Sequence, residues 1–191
     1  MYDKYKLTIS IETRKMKKIS FCLVIALAGM VHSNTIQADD ICDTKLFKQL
    51  IAAEKKGIKR PYIIPSKALK TIMDNEELLC PMQVEKDFNG DSQLDWLGII
   101  EQDRKFYLAS YLSGKANYKL TKIKQYDRVP GNQYMDTASK QTLKKLAGIA
   151  PMAYGVKFAA IENQVNGESI AYAWDGNKMI EVVKFKFSHS D

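Results

Sequence analysis

The spacing of the apolar residues changes near Leu94, and this change constrains the fold more than any other feature of the sequence. Before Leu94, residues 44–56 and 66–73 carry apolar residues at helical spacing, on one face of each segment. After Leu94, the apolar residues run consecutively or alternate with a period of two, which is typical of strands. The sequence therefore predicts helices in the N-terminal part and mainly strands in the rest.

The strand-forming part contains several separable segments. Strands are expected at 94–102, 104–112 and 117–125, and their short connections predict a meander. A short helix is expected at 139–147, and an Asp-Gly-Asn turn at 175–177 predicts a C-terminal hairpin, since Gly and Asn tolerate positive φ. The prediction is an α+β fold, with N-terminal helices packed on an antiparallel sheet of about six strands.

The N-terminal residues 1–38 have the order of a secretory signal peptide. A basic stretch at 16–18 precedes 13 uncharged residues, Ile19 to Val31, and a polar segment that ends at Ala38. Met16 is the expected start, and residues 39–191 are the expected single mature domain. An apolar run of this length falls short of the roughly 20 residues of a membrane-spanning helix, so no stable span is expected after cleavage. An N-terminal anchor helix is the alternative.

The positive charge of the chain lies mostly in this leader. The whole chain has 29 Lys and Arg against 22 Asp and Glu, a net charge of +7. The leader holds six of the bases and two of the acids, which leaves 23 bases and 20 acids, a net of +3, for the mature domain. So small an excess does not predict a nucleic-acid partner.

The mature domain contains two cysteines, Cys42 and Cys80. An even number of cysteines in an exported protein predicts one disulfide between them. Such a bond would stabilise the fold by about 3–4 kcal/mol through the entropy of the unfolded chain. The alternative is two free buried thiols. With the leader, the pair predicts a periplasmic or secreted protein.

A short acidic segment carries the only pattern with recognisable chemistry. Oxygen-bearing side chains occupy positions 1, 3, 5 and 9 of this loop, namely those of Asp87, Asn89, Asp91 and Asp95, and Gln93 at position 7 can add its backbone carbonyl. Calcium binds about six to eight oxygen ligands, so the spacing predicts one structural calcium site. The alternative is a polar Asn-Gly turn with solvated carboxylates.

The same segment supports a resemblance. Asp-Phe-Asn-Gly-Asp, followed by Asp95, Trp96 and an apolar strand, resembles the calcium loops of integrin-type FG-GAP and VCBS repeats. The chain is also similar to small exported bacterial proteins of unassigned role, which combine one such loop with a C-terminal hairpin like residues 170–179. The resemblance implies a calcium-type loop on an α+β domain and implies no reaction.

Aromatic residues on the predicted strands are candidates for a binding surface. If one sheet face is left uncovered, Tyr107, Tyr111, Tyr172 and Trp174 could contact a protein or a glycan. The alternative is that these side chains pack in the core or on a covered sheet face.

Recognisable catalytic groups are scarce in the mature domain. Its one histidine, His189, lies near the C-terminus, and the sequence has no zinc-protease, phosphate-loop or dinucleotide motif. The leading prediction is therefore a non-enzymatic binding protein, such as an inhibitor or immunity-type factor, whose partner is an unidentified envelope or secreted protein. The alternatives are a carboxylate-dependent hydrolase of an envelope polymer and a structural envelope component.

Overall fold

Strands dominate the described part of the chain. The computed structural model describes residues 42–54, 57–114, 117–148 and 152–186. Within these ranges there are three short helices and eight strands. In chain order they are α1 (Lys45–Glu54), α2 (Lys67–Asn75), β1 (Gln83–Lys86), β2 (Asp95–Gln102), β3 (Lys105–Leu112), β4 (Lys119–Tyr126), β5 (Gln133–Ser139), α3 (Lys140–Ala147), β6 (Phe158–Gln164), β7 (Glu168–Trp174) and β8 (Met179–Lys186).

The described strands form two antiparallel sheets of four strands each. The first sheet has the order β1-β2-β3-β4, and the second has the order β5-β6-β7-β8. Each strand pairs with its neighbour in sequence, so both sheets are meanders. The expected meander from β2 to β4 is confirmed, and so is the hairpin between β7 and β8.

The two sheets share the main hydrophobic core. Along β2, Leu97 and Ile99 point into this core, whereas Trp96 and Ile100 point to the opposite face. Ala160 of β6 and Met179 of β8 reach the same core from the second sheet. Strand side chains alternate between faces, so each sheet has an inner face toward the other sheet and an outer face.

Each outer face is covered in part by a helix. On the first sheet, Leu46, Phe47 and Leu50 of α1 pack against Trp96, and the Phe47 and Trp96 rings stack with centroids 5.4 Å apart. On the second sheet, Leu143 of α3 packs among the small side chains of the outer face. The described residues therefore stack as helix, sheet, sheet and helix.

The predicted fold class is wrong. The prediction was N-terminal helices on one sheet of about six strands, whereas the described chain has two four-stranded sheets facing each other. The strands β1 and β5 were not predicted, and β1 is only four residues long. Alternation shows that a strand has an apolar face, but it does not show whether a helix or a second sheet covers that face.

The expected short helix at 139–147 is confirmed as α3, and the helical spacing at 66–73 corresponds to α2. The side-chain oxygens of Ser66 and Ser139 cap α2 and α3, and α3 ends at Gly148 with a φ of +72°. Leu143 of α3 is fully buried, whereas Leu146 is 41% exposed. Local hydrogen bonds decide where a helix begins and ends, whereas the helix face that is buried depends on distant residues.

The predicted disulfide is confirmed. Cys42 and Cys80 are bonded, with their Cα atoms 5.5 Å apart. The bond joins the residues just before α1 to the segment between α2 and β1. A disulfide is consistent with an exported protein, because such bonds persist in oxidising compartments.

The predicted leader, residues 1–38 with Met16, lies outside the described residues, and so does His189. The signal peptide therefore stays a prediction. In the described part of the chain, no helix has the length and apolar character needed to cross a membrane.

Candidate functional site

The acidic loop connects β1 to β2 and is folded by its own side chains. Asp87 Oδ1 accepts hydrogen bonds from the backbone N–H of Gly90 (2.7 Å) and of Asp91 (3.2 Å), and its Oδ2 accepts one from Ser92 N–H (2.9 Å). Asn89 Oδ1 in turn accepts from the Asp91 N–H at 3.0 Å. These short-range bonds satisfy backbone donors that no sheet partner reaches, so the side chains hold the turn.

Asp95 anchors the loop to the first sheet. Its carboxylate is fully buried and accepts three backbone hydrogen bonds, from Phe88 N (2.8 Å), Asn89 N (3.2 Å) and Ser113 N (2.7 Å), and its Oδ1 lies 2.8 Å from Ser113 Oγ. Burial raises the pKa of the Asp95 carboxyl above its ordinary value, although these hydrogen bonds lower it in part. The residue therefore links the loop to the end of β3.

The Ser113 hydroxyl lies between two carboxylates. Its Oγ is 2.7 Å from Asp91 Oδ2 and 2.8 Å from Asp95 Oδ1, and Asn89 Nδ2 donates to it at 3.2 Å. A hydroxyl has one hydrogen, so it can donate to only one of the two carboxylates at a time. The second carboxylate then faces an oxygen lone pair, a repulsion that a proton or a cation would relieve.

The structure brings the side chains of Asn89, Asp91 and Asp95 together at Ser113, while the three backbone donors described above engage Asp87. In this arrangement the loop carboxylates accept hydrogen bonds from N–H and O–H groups of the protein. Within the described ranges, no group of three or more His, Cys, Asp or Glu residues is placed to hold a metal ion. The donor set is chemically suited to calcium, but binding would require Ser113 and the backbone donors to be released from some of these oxygens.

An open pocket of about 440 Å³ lies beside this loop. Its lining residues come from both sheets, with Trp174 at the end of β7 and the others on the loop or just after β3; they are Asn89, Asp91, Gln93, Ser113, Gly114 and Trp174. Sequence reasoning picked out the loop and Trp174 separately, but it did not predict that the two meet.

The four candidate surface aromatics do not share one exposed face. Tyr111 is buried and stacks on Tyr118, with ring centroids 5.0 Å apart, and Tyr172 is buried in the main core. Tyr107 is half-buried beneath Lys122, whose Nζ lies 4.0 Å from its ring centroid. Trp174 is half-buried and, alone of the four, lines the pocket beside the loop.

A second cavity, of about 350 Å³, is an apolar groove beside the disulfide. Its walls include both bonded cysteines, residues 60–63, Pro65 and Leu79. Tyr62 is 78% exposed and Leu79 is 65% exposed at this groove, so the groove carries two large apolar side chains that face solvent. Sequence reasoning missed the groove; the signal was the run Pro-Tyr-Ile-Ile-Pro, in which apolar residues lie between two prolines.

A buried polar cluster between the two sheets was also missed. Glu162 of β6 is fully buried and accepts hydrogen bonds from Gln133, Tyr126, Tyr172 and Lys124 at 2.7 to 3.2 Å. Burial, together with the nearby carboxylate, raises the pKa of both tyrosine hydroxyls, so they remain hydrogen-bond donors. Because several donors hold both oxygens of Glu162, this carboxylate has a structural role.

Comparison of the chain with protein-family models, with curated proteins and with solved structures yields no match.

Proposed function

We propose that this chain is an exported, non-enzymatic binding protein whose partner is another envelope or secreted protein, as an inhibitor or immunity-type factor would be. The observation that carries the proposal is the apolar groove, whose lining includes the exposed side chains of Tyr62 and Leu79. Large apolar side chains at the rim of a concave surface are typical of protein-binding sites, because covering them removes apolar area from water.

The groove is held in place before any partner binds. Arg60 forms an ion pair of 2.7 Å with Asp43, and its guanidinium lies 4.9 Å from the centroid of the Phe47 ring. The disulfide fixes the opposite wall, and Pro61 restricts the backbone between the two. A preformed site loses little conformational entropy on binding, which favours affinity.

The two fully buried carboxylates of the described residues support a non-enzymatic role. Asp95 accepts three backbone hydrogen bonds, and Glu162 accepts hydrogen bonds from four side chains. A carboxylate that acts as a general acid or base must exchange a proton with a bound substrate, and these two are enclosed and held by protein donors.

We also propose that the acidic loop binds one structural calcium ion through Asp87, Asn89, Asp91, Asp95 and the carbonyl of Gln93. The chemistry of the donor set and the crowding of two carboxylates around the Ser113 hydroxyl support this proposal. The ion would attract each carboxylate and so offset the repulsion between them. It would also fix the turn that precedes β2.

The proposal that the groove binds a protein partner can be tested by photo-crosslinking in cells. The full chain is expressed with its own leader, with a photo-reactive amino acid in place of Tyr62 or, as a control, in place of Leu146 on α3. We expect one stoichiometric partner to crosslink at position 62 and not at position 146. We also expect Leu79→Ser to reduce capture at least tenfold, while Leu146→Ser leaves it unchanged.

Two results would contradict the proposal. Equal crosslinking at the two positions would mean that the groove is not the interface. Release of soluble fragments from an envelope polymer by the purified protein, under the same conditions, would favour the hydrolase alternative.

A further inference from the structure

We propose that the pocket beside the acidic loop binds a neutral saccharide, stacked on the indole of Trp174 and hydrogen-bonded by Gln93 and Asp91. This site is distinct from the apolar groove and has different lining residues. The inference is therefore independent of the proposed protein partner.

Trp174 presents the kind of surface that a pyranose ring contacts. The indole packs against the main core, but it also lines the pocket and is only partly buried. Its Nε1–H forms no hydrogen bond within the described part of the chain, and an indole N–H that is only half-buried can still donate to a ligand. The C–H face of a sugar stacks on an aromatic ring, while the hydroxyls at its rim need donors and acceptors.

Gln93 and Asp91 supply those donors and acceptors on the loop side of the pocket. Among the described residues, no other group hydrogen-bonds to the exposed side-chain amide of Gln93, which can donate and accept at the same time. Asp91 Oδ1 accepts from Gln93 N–H at 2.9 Å, and its Oδ2 lies 2.7 Å from Ser113 Oγ and 3.4 Å from Asn89 Nδ2. Oδ1 can accept a second bond, so Asp91 can also receive a sugar hydroxyl.

The charge of the lining restricts the class of ligand. Among the described residues, the six that line the pocket include one carboxylate and no Lys, Arg or His. A phosphorylated sugar or a uronic acid would place like charge beside Asp91, which is unfavourable. A cavity of about 440 Å³ lies within the usual range for small-molecule sites. The lining therefore fits an uncharged sugar.

The loop wall of the pocket is rigid. Gly90 has a φ of +84°, and a Cβ atom there would lie 3.2 Å from the carbonyl carbon and oxygen of Gly155. The loop therefore packs tightly on the segment before β6, and Asp95 anchors its far end.

The test measures the binding of defined tetrasaccharides. The full chain is expressed with its own leader and purified after export, then titrated with cellotetraose, maltotetraose and the tetramer of N-acetylglucosamine. Binding is followed by calorimetry and by tryptophan fluorescence, since one of the two tryptophans, Trp96, is fully buried and Trp174 lines the pocket. We expect saturable binding of at least one neutral tetramer and none of tetragalacturonate.

Two variants in the pocket and one in the apolar groove test whether the sugar binds at this pocket. Gln93→Ala removes an exposed side chain, so the fold should persist while the dissociation constant rises about tenfold. Trp174→Phe should also raise it about tenfold, because the ring is smaller and the N–H is lost. Tyr62→Ala, in the apolar groove, should leave it unchanged.

The titrations are repeated with calcium and with a chelator, so that a sugar and a cation at the same loop are told apart. Failure of all three neutral tetramers to bind in both conditions would overturn the proposal. Equal affinity in wild type, Gln93→Ala and Trp174→Phe would overturn it as well. Partner capture through the groove should persist in both variants, so failure here is distinguishable from failure of the proposed function.

Discussion

Lys124 of the first sheet and Glu162 of the second form an ion pair of 3.1 Å between the facing sheets. Glu162 also accepts hydrogen bonds from Tyr126 and Tyr172, one from each sheet, at 3.0 and 2.7 Å. Both side-chain oxygens of Glu162 are therefore hydrogen-bonded, and the cluster ties together two sheets that otherwise meet through apolar contacts.

Replacing Glu162 should destabilise the fold strongly. Glu162→Leu removes the acceptor and leaves the donors of Lys124, Tyr126, Tyr172 and Gln133 without their partner. We expect a loss of about 2–4 kcal/mol in the free energy of unfolding, measured by urea denaturation.

Two further variants serve as comparisons. Glu162→Gln keeps the shape and one acceptor, so the loss should be about half as large. Glu181→Gln breaks only an exposed pair with Lys184 and should change stability by less than about 0.5 kcal/mol. A Glu162→Leu effect no larger than that of Glu181→Gln would mean that the buried cluster adds nothing to stability.

Calcium should raise the thermal midpoint if the acidic loop binds it. The expected dissociation constant is about 10⁻⁴–10⁻³ M, the range of extracellular modules. A tenfold excess of calcium over that constant then adds about 1.4 kcal/mol by mass action, or roughly 2–6 °C for a domain of this size. Differential scanning calorimetry with calcium and with chelator measures the shift.

Asp91→Ala is the matched variant for this prediction. It should fold and lose the calcium response, because it removes one of the central carboxylates of the loop. Equal midpoints for the wild type in calcium and in chelator would mean that the loop is only a turn.

The stability contribution of Asp95 should depend on pH with a defined sign. Burial places the folded-state pKa of this carboxyl above its ordinary value of 3.8, so the folded chain binds more protons than the unfolded chain. The contribution is fully present below the ordinary value and is lost as pH rises through the raised folded-state value.

Urea unfolding of wild type and Asp95→Asn in chelator, from about pH 4 to pH 8, tests this sign. The stability difference between wild type and variant should shrink as pH rises, because asparagine does not titrate. A difference that grows with pH would show that hydrogen bonds to the carboxylate outweigh its burial.

Gly90→Ala should cost more than an alanine at another glycine of positive φ. At Gly90 the new Cβ meets the Gly155 carbonyl at 3.2 Å, in addition to the strain of a φ of +84°. We expect a loss of about 2–3 kcal/mol by urea denaturation.

Gly148→Ala is the control, since its φ is +72° and nothing lies within 4 Å of where its new Cβ atom would sit. Its cost should be about 1 kcal/mol, from backbone strain alone. Similar losses at Gly90 and Gly148 would mean that the contact between Gly90 and Gly155 is not tight in solution.

Features that depend on neighbours in sequence were predictable from the sequence alone. The caps at Ser66 and Ser139 and the turn at 175–177 use hydrogen bonds between residues a few positions apart, so the residue types suffice. The meander from β2 to β4 follows from alternation and short connections. The disulfide followed from having two cysteines in a chain expected to be exported.

The tertiary structure alone decided which surfaces meet. Alternation marked apolar faces on the strands of both sheets, but an apolar face can bury itself against a helix or against another sheet with similar gain. The facing of the two sheets placed Tyr172 in the core beside Glu162 and brought Trp174 to the acidic loop. These contacts join residues far apart in the chain, and the free energy that selects them comes from the packing of the whole domain.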